Sequence, residues 1–292
     1  MDSNQMELLA ECPICNGTDL SPFLKSNNHQ IVRCTLCEIL FVNPRPSESY
    51  IRSLFSKDYI DNDKRVEEDF TSWRQASLKR EARRLQQLLP QGGRLLDIGT
   101  ASGAFLGAFK DAPHWQVEGL EPSRFAAQKA AAKYGVPVHP GFLHDQQFES
   151  SSFDVITSLD AFCFHPNPRK DMIEITRILK PSGLLAIEIP GLRFRMLKNT
   201  GPLCKLLYGQ QARLNAGVHL FYYSRKTLGT LVQQFGFKEV AAFPEQSPLY
   251  GPWYLRLANH LYFWLTGGFY LLSKGHFNLA PKEFIVYRKE SS

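Results

Sequence analysis

The stretch RLLDIGTASGAFLGAF (Arg94–Phe109) determines how the rest of the chain is interpreted. Branched apolar residues lead into Asp97, and the chain then passes Gly99 and Gly103 before a helix-like run. Glycine allows the backbone to turn sharply and to approach a ligand closely, so the pattern predicts a cofactor-binding turn at the end of a buried strand. A nicotinamide-binding loop would require G-x-G-x-x-G, and here alanine replaces the second and third glycines of that motif.

Outward from this stretch, short apolar strands alternate with helical segments of about a dozen residues. The alternation predicts an α/β fold, in which a mostly parallel, Rossmann-like sheet carries helices on both faces. Ligands bind at the carboxyl ends of the strands in such sheets. The predicted strands are 95–98, 116–122, 136–140, 153–159 and 183–190, and the predicted helices are 102–111, 123–135 and 168–180.

Four cysteines near the N-terminus form two C-x2-C pairs, C-P-I-C and C-T-L-C. This spacing matches the two-knuckle zinc template, in which two tight turns together present a tetrahedron of thiolates. The alternatives are chance proximity and disulfide bonding. Because the protein would fill all four coordination positions, we expect a structural Zn²⁺ site, and a recognition role for the ribbon is left open. The expected ligands are Cys12, Cys15, Cys34 and Cys37, whereas Cys163 and Cys204 are expected to be ordinary buried thiols.

Composition favours one large domain with a small appendage. The 292 residues are 43% hydrophobic, which supports a packed core and argues against disorder. The first residues, MDSNQMELLAECPIC, have neither a basic region nor an apolar stretch, so we expect no export signal and a cytoplasmic location. We divide the chain into a zinc ribbon (1–46), a linker and helical segment (47–92) and a main α/β domain (93–292), which contains an apolar insertion (251–280).

The glycine turn and the segments after it resemble a known family. D-I-G-T-A-S-G resembles the D-x-G-x-G-x-G motif of class I S-adenosylmethionine-dependent methyltransferases, with Ala101 in place of the middle glycine. F-D-V-I, L-K-P-S-G and E-F-I-V-Y-R-K follow in the order of that family's later motifs. The ribbon, which ends in F-V-N-P-R-P, resembles a bacterial subgroup often associated with modification of sugars, polysaccharides or small metabolites. The resemblance implies a class I methyltransferase fold with S-adenosylmethionine as cofactor.

The resemblance also assigns roles to residues at the strand ends. Asp97 suits the ammonium group at the amino-acid end of the cofactor, whereas it would repel a pyrophosphate. The Glu121 carboxylate is placed to accept the ribose hydroxyls, although a nicotinamide enzyme would also carry an acid there. The expected cofactor-binding residues are Asp97, Gly99, Ala101, Gly103, Glu121, Phe142, Leu143 and Asp160.

The sequence departs from the family at the expected catalytic pair. Many relatives carry Glu-His shortly after the aspartate that matches Asp160, but here the pair is Cys163-Phe164, and a histidine follows at His165. His219 is a second candidate, in a segment that borders the acceptor pocket in this family. For both histidines we weigh a catalytic base against a structural role. A base is needed only if the acceptor must lose a proton, because the displacement itself depends mainly on positioning.

Two further segments have unusual charge. The segment 189–238 contains no Asp or Glu but eight Lys or Arg residues, in a chain of net charge +6. It follows the fifth strand, so it predicts an anionic acceptor held there, with Arg193 and Arg195 in contact; the alternative is a solvated helix face.

The run Leu257–Ser273 is uncharged and aromatic but short for a membrane span. A core or lid helix pair, a dimer interface and an interfacial membrane contact all stay open, as does the oligomeric state.

Three classes of function fit these features. The first is methyl transfer to a small-molecule, sugar or glycan-type acceptor. The second is an RNA methyltransferase that reads RNA with the ribbon. Because Lys25 and Arg33 are balanced there by Glu11, Asp19 and Glu38, we do not expect a nucleic-acid partner. The third is a cofactor-binding module without turnover, which the missing Glu-His pair suggests.

Overall fold

A computed structural model of the protein describes residues 5–56, 72–246, 253–273 and 277–291. The strands are β1 (Met6–Glu7), β2 (Leu20–Ser26), β3 (His29–Cys34), β4 (Leu40–Val42), β5 (Arg45–Pro46), β6 (Gly93–Ile98), β7 (Trp115–Glu121), β8 (Val138–Pro140), β9 (Phe153–Leu159), β10 (Leu179–Pro190), β11 (Phe221–Tyr222), β12 (Phe237–Glu245) and β13 (Lys282–Lys289). The helices are α1 (Glu48–Ser56), α2 (Ser72–Leu88), α3 (Arg124–Tyr134), α4 (Pro168–Ile178), α5 (Leu192–Asn199), α6 (Gly201–Tyr208), α7 (Arg225–Gln233) and α8 (Trp253–Leu272).

The central sheet has seven strands in the order β12-β13-β10-β9-β6-β7-β8. All neighbours are parallel except β13, which is antiparallel to both β10 and β12. Consecutive strand residues such as Leu184 and Leu185 belong to different apolar clusters, because side chains alternate between the two faces of a strand. One cluster contains Ile175 of α4 and Leu228 of α7, and the other contains Leu85 of α2. The predicted α/β sheet with helices on both faces is therefore confirmed.

Local signals set the ends of several helices. Ser123 caps α3 because its hydroxyl accepts a hydrogen bond from a backbone N–H in the first turn, and Gly135 ends that helix in the left-handed conformation. The helix expected at 102–111 is wrong, because only a 3₁₀ turn, Leu106–Phe109, forms there. Gly103 has a φ of +75°, so the chain is still turning where that helix was expected to begin.

The ribbon shares a sheet with the main domain. Ribbon strands β2, β3 and β4 continue into β11 in a four-stranded sheet, and Phe41 is paired in register with Phe221. The Ser26 hydroxyl accepts a hydrogen bond from the backbone N–H of Leu214 at 2.8 Å, across 188 residues of chain. Buried residues of the ribbon and of the main sheet belong to one apolar cluster. The boundary at residue 46 stays a prediction, but the two parts have a common core.

Two helical segments can be compared with expectation. In its described part, the linker and helical segment expected at 47–92 forms helices α1 and α2, and residues 57–71 lie outside the described part of the chain. The described residues of the apolar insertion form one helix, α8, and not a pair, because Gly267 and Gly268 continue the helix and do not end it. Among the described residues, no helix has the length and hydropathy that crossing a bilayer requires.

Candidate active site

A cavity of about 810 Å³ lies at the carboxyl ends of the central strands, where ligands are expected in this fold. Its size is in the range of small-ligand sites. We name two parts of its lining after the ligand expected at each. The cofactor wall comprises Asp97–Ser102, Glu121, Phe142, Leu143 and Asp160, and the acceptor wall comprises Phe164, His165, Lys170, Gly217, Val218 and Leu220. Helix α1 also lines the cavity, with the Arg52 guanidinium 4.4 Å from the centre of the Phe142 ring.

The glycine turn brings the backbone to the cavity. Gly99 has a φ of +78°, and a Cβ there would lie 2.7 Å from the Cβ of Ala161, so a side chain does not fit. Ala101, which replaces the middle glycine of the family motif, also has a positive φ of 48°. Its backbone N–H donates to Glu121 Oε2 at 2.9 Å, which ties the turn to the end of β7. Gly103 shapes the turn but is the one expected cofactor residue that does not line the cavity.

Glu121 is fixed by backbone donors. Its Oε1 accepts a hydrogen bond from the N–H of Ser123 at 3.0 Å, and the residue is 4% exposed. A carboxylate has about four lone-pair sites, so this type of group suits a ligand with two neighbouring hydroxyl groups. Ser102 lines the same wall, and among the described residues its buried hydroxyl has no hydrogen-bond partner. This set of donors and acceptors fits a ligand with neighbouring hydroxyls, as the ribose of S-adenosylmethionine has.

Asp97 places a buried carboxyl at the end of β6. It accepts a hydrogen bond from Thr157 Oγ1 at 2.6 Å and is 2% exposed. Burial raises the pKa of Asp97 to about 6, although the Thr157 hydrogen bond works in the opposite direction. A cation in the cavity would favour the ionised carboxylate and lower that pKa. The position therefore fits the ammonium group expected from the sequence.

A buried ion network supports the cavity next to Asp160. Lys282 Nζ donates to Asp160 Oδ2 at 2.6 Å and to Glu188 Oε1 at 2.9 Å, and Arg74 donates to Glu188 at 2.9 Å. Burial opposes ionisation of Glu188, but the two cations outweigh it and lower its pKa to about 2. Burial and the charge of Glu188 raise the pKa of Glu81 well above its ordinary value, and both carboxyl oxygens of Glu81 are buried without a hydrogen-bond partner among the described residues. Asp160 is thus held by a cation that also lines the cavity.

Two histidines and one carboxylate meet at the cavity. Asp171 Oδ1 lies 2.8 Å from His144 Nε2, and Asp171 Oδ2 lies 2.9 Å from His165 Nδ1. Burial opposes ionisation of Asp171, but its interactions with the imidazoles of His165 and His144 outweigh burial and lower its pKa to about 2. When His165 Nδ1 donates to Asp171, Nε2 is the acceptor nitrogen, and none of the described residues occupies it. An imidazole oriented in this way can accept a proton from a ligand.

Asp171 and His144 line the cavity but were not among the residues expected there. Asp171 lies in the first turn of α4, which Asn167 caps and Pro168 begins, six residues after His165. That helix start is a signal that could have placed a carboxylate near His165. His144 comes from the loop after β8, and no local pattern connects it with α4.

His219 lies outside the cavity lining, although the residues on either side of it line the acceptor wall. Its ring centroid is 4.7 Å from that of Phe164, and its Nδ1 is 3.2 Å from Cys163 Sγ. Burial, and then the charge of Arg195, lower the pKa of His219 to about 4, so the imidazole is neutral. These contacts favour the structural alternative for His219, in which it anchors the acceptor wall.

The eight basic residues of the acid-free segment, all of them described, do not line the cavity. Arg225 and Lys226 are paired with Glu239 and Glu38. Arg195 donates to a backbone carbonyl at 2.8 Å. The segment forms α5 and α6 and then pairs with the ribbon through β11. Lys198 and Lys205 are exposed on these two helices. The basic side chains of this segment, including Arg193 and Arg195, are therefore not placed to hold an acceptor in this cavity, although Gly217, Val218 and Leu220 of the same segment line its acceptor wall.

The four ribbon cysteines lie together as expected. Their Sγ atoms are within 4.8 Å of one another, and the pairs Cys12–Cys37 and Cys15–Cys34 are 3.6 Å apart. Sulfur atoms around a tetrahedral Zn²⁺ ion with bonds of about 2.3 Å are separated by about 3.8 Å. The Ile14 N–H lies 3.5 Å from Cys12 Sγ, in the direction that stabilises a thiolate. The four residues therefore fit a closed, structural zinc site.

A glycine turn, acidic strand ends and a cavity at the carboxyl edge of a parallel sheet define an α/β enzyme that binds a nucleoside-type cofactor. The family model described as a methyltransferase domain matches residues 70–242, which is more than half of the chain. The chain therefore belongs to the methyltransferase domain family, and it is an S-adenosylmethionine-dependent methyltransferase. No curated protein matches the sequence.

Solved structures share the fold at low sequence identity. The complex of the Haloferax volcanii Trm112 methyltransferase activator with a methyltransferase gives a TM-score of 0.55 at 16% identity, covering 82% of this chain and 97% of that one. An S-adenosylmethionine-dependent methyltransferase of Thermotoga maritima gives 0.52 at 22% identity, with 82% and 100% covered. The [4+2]-cyclase SpnF gives 0.52 at 19% identity, with 76% and 85% covered. At these identities the likeness shows the fold and does not identify the acceptor.

Proposed function

We propose that the protein methylates a small-molecule or sugar-type acceptor that carries an anionic group and loses a proton on methylation. The observation that carries the proposal is the His165 imidazole, which Asp171 orients at the acceptor wall of a cavity whose other wall fits S-adenosylmethionine. A base in this position suits a hydroxyl, a carbon acid or a protonated amine.

The cofactor wall supplies the groups that would hold S-adenosylmethionine. When bound, the cofactor supplies an electrophilic methyl group on a sulfonium. Glu121 would accept the ribose hydroxyls, and the ionised Asp97 would face the ammonium group. Phe142 and Leu143 add apolar surface to the same wall. None of these side chains has to take part in proton transfer.

The acceptor wall supplies the proton acceptor. Asp171 holds His165 in the tautomer whose Nε2 carries the lone pair, and His144 binds the second oxygen of the same carboxylate. The carboxylate thereby keeps its orientation and stabilises the imidazolium that forms when His165 takes the proton. An acceptor bound between the two walls also has its nucleophilic atom held near the cofactor. This positioning makes the largest contribution to the rate of a displacement reaction.

Lys170 supports an anionic acceptor. It lines the acceptor wall, is exposed, and makes no ion pair with any described residue. The other basic residues of the cavity lining are engaged by carboxylates, Arg52 by Glu48 and Asp145, and Arg74 and Lys282 by Glu188. An unpaired cation at the wall would attract an acceptor of opposite charge.

Transfer of a radioactive methyl group from S-adenosylmethionine to fractionated cellular pools tests the proposal. We expect label in an anionic small-molecule or glycan fraction. Lys170→Gln should raise the acceptor KM, and added salt should reduce the difference in KM between this variant and the unmodified protein. Lys129→Gln, an exposed lysine on α3 away from the cavity, is the matched control. Label in RNA alone would contradict a small-molecule or sugar-type acceptor and would support the RNA methyltransferase alternative. Tight cofactor binding without transfer to any pool would favour the module without turnover.

A further inference from the structure

Helix α8 presents its apolar face outward. The exposed apolar side chains follow one broad face at helical spacing, and they include Tyr254, Leu257, Leu261, Trp264, Leu265 and Leu272. Trp264 is 75% exposed and Leu272 is 84% exposed. The other face packs on the protein, where Thr266 is buried and the hydroxyls of Tyr262 and Tyr270 donate to backbone carbonyls at 2.8 and 2.9 Å. An ordinary surface helix has the opposite arrangement, with its apolar stripe toward the core.

Two neighbouring helices expose apolar residues as well. Helix α5 packs against α8 through Phe194, whose ring lies 5.4 Å from that of Tyr262. Leu197 on α5 is 58% exposed, and Leu206 on α6, the next helix, is 82% exposed. We call the outward side chains of α5, α6 and α8 the apolar surface. Monomeric soluble proteins seldom expose contiguous apolar patches beyond a few hundred Å², and larger ones mark interaction sites.

The charge around the apolar surface has one sign. No Asp or Glu occurs in 189–238, which contains α5 and α6, or in 246–282, which contains α8. Exposed basic residues do occur on each helix, namely Lys198 on α5, Lys205 on α6 and Arg256 on α8. The partner of this surface therefore has to offer an apolar region bordered by negative charge.

We infer that the apolar surface docks the protein on the interface of an anionic lipid bilayer, with α8 lying in the membrane plane. Aromatic and leucine side chains enter the region between headgroups and acyl chains, while Lys and Arg pair with anionic headgroups. A second copy of the chain fits less well. A symmetric contact through the same surface would bring its basic residues together, and the segments 189–238 and 246–282 that form the surface contain no carboxylate to pair with them.

The position of the apolar surface gives this docking a direction. Strand β12 ends at Glu245 and β13 begins at Lys282, and Lys282 lines the cavity, so the insertion leaves and rejoins the sheet at the edge where the cavity lies. Helix α5 follows β10 at that edge as well. Docking therefore brings the cavity edge of the sheet to the bilayer. This inference concerns the surface and does not depend on the acceptor proposed above.

Flotation with vesicles tests the inference. The full chain is mixed with vesicles of phosphatidylcholine alone or of phosphatidylcholine with phosphatidylserine. We expect binding to the anionic vesicles only, weakened by salt. The double variant Trp264→Ser, Leu265→Ser should lower the partition coefficient at least about tenfold, since each buried large apolar side chain contributes that order of effect. Lys198→Glu with Lys205→Glu should also lower it, through charge.

The matched control is Leu8→Ser with Ile173→Ser, because Leu8 and Ile173 are comparably exposed apolar residues outside the apolar surface. This control should bind vesicles like the unmodified protein. Calorimetric binding of S-adenosylmethionine and far-ultraviolet circular dichroism check that each variant is folded. The inference is overturned if the unmodified protein does not float with anionic vesicles, or if the Trp264 and Leu265 variant floats equally well. It is also overturned if sedimentation shows a dimer that this variant dissociates, because a second copy then covers the surface.

Discussion

The two walls of the cavity are built in different ways. The cofactor wall comes from loops that directly follow strands of one parallel sheet, and its key contacts join neighbouring strand ends, such as the Ala101 N–H to Glu121. The acceptor wall combines the start of α4 with the segment around Val218, which reaches its place by pairing with the ribbon through Phe41 and Phe221. The first wall follows from the topology of the sheet, whereas the second depends on parts of the chain that are far apart in sequence. Variants of the two walls should therefore change different measurable quantities.

The largest effect is expected at the acceptor wall. His165→Gln removes the proton acceptor and should lower kcat about 100- to 10,000-fold, which is the usual contribution of a general base. Cofactor affinity measured by calorimetry should stay the same. His139→Gln is the control, because His139 also lies 2.7 Å from a carboxylate but is outside the cavity lining. An unchanged kcat in His165→Gln, with an acceptor that must lose a proton, would remove His165 from catalysis.

A smaller effect is expected at the cofactor wall. Glu121→Ala removes the acceptor of the ribose hydroxyls and two hydrogen bonds of the turn. It should weaken S-adenosylmethionine binding by about 1–3 kcal/mol, or roughly five- to 150-fold in Kd. The acceptor KM should change little. Glu118→Ala, on the same strand but outside the cavity lining, should leave cofactor affinity unchanged, and equal losses in the two variants would assign the effect to strand stability.

The pH dependence of cofactor binding gives a finer test of the same wall. The pKa of Asp97 is raised to about 6 in the protein without cofactor. Binding a cation favours the carboxylate, so affinity should be full above about pH 6 and fall by up to about tenfold per pH unit below it. Calorimetry across this range should show the slope in the unmodified protein. Asp97→Asn should bind more weakly at neutral pH and lack the slope, and an identical slope in that variant would assign the titration to another group.

The smallest effect links the ribbon to the acceptor wall. Chelation of zinc or Cys12→Ser should loosen the ribbon, which pairs with β11 next to that wall. Local loosening of about 1 kcal/mol should raise the acceptor KM roughly fivefold, while cofactor Kd changes less. Elemental analysis should find one zinc per chain before chelation. A ribbon that stays folded without metal, followed by hydrogen exchange of β2 and β3, would contradict the structural role of the site.

Seven of the eight residues expected to bind the cofactor line one cavity, because they lie at or after the ends of strands whose apolar pattern is visible in the sequence, and their role in binding stays a prediction. The proximity of the four cysteines was also predictable, because their spacing alone indicates that they share one metal ion. The helix at 102–111 was wrong, because the left-handed turn at Gly103 persists beyond the strand end. His144 could not be linked to Asp171 from local pattern, since the two residues meet only when β8 and α4 are placed by the sheet. The direction in which α8 faces is likewise a tertiary property, because Arg256 is the single charged residue of this helix and no charged stripe marks its outer side.

The sheet shared by the ribbon and the main domain also constrains the order of folding during synthesis. The ribbon is synthesised before the main domain, but Ser26 meets Leu214 across 188 residues, so the ribbon sheet is completed only after the chain as far as residue 214 has left the ribosome. Until then β4 has an unpaired edge, which is a site for association with other chains. Zinc bound early by the four thiolates would keep the two knuckles together during that interval, so metal supply would govern the yield of folded enzyme as well as its stability.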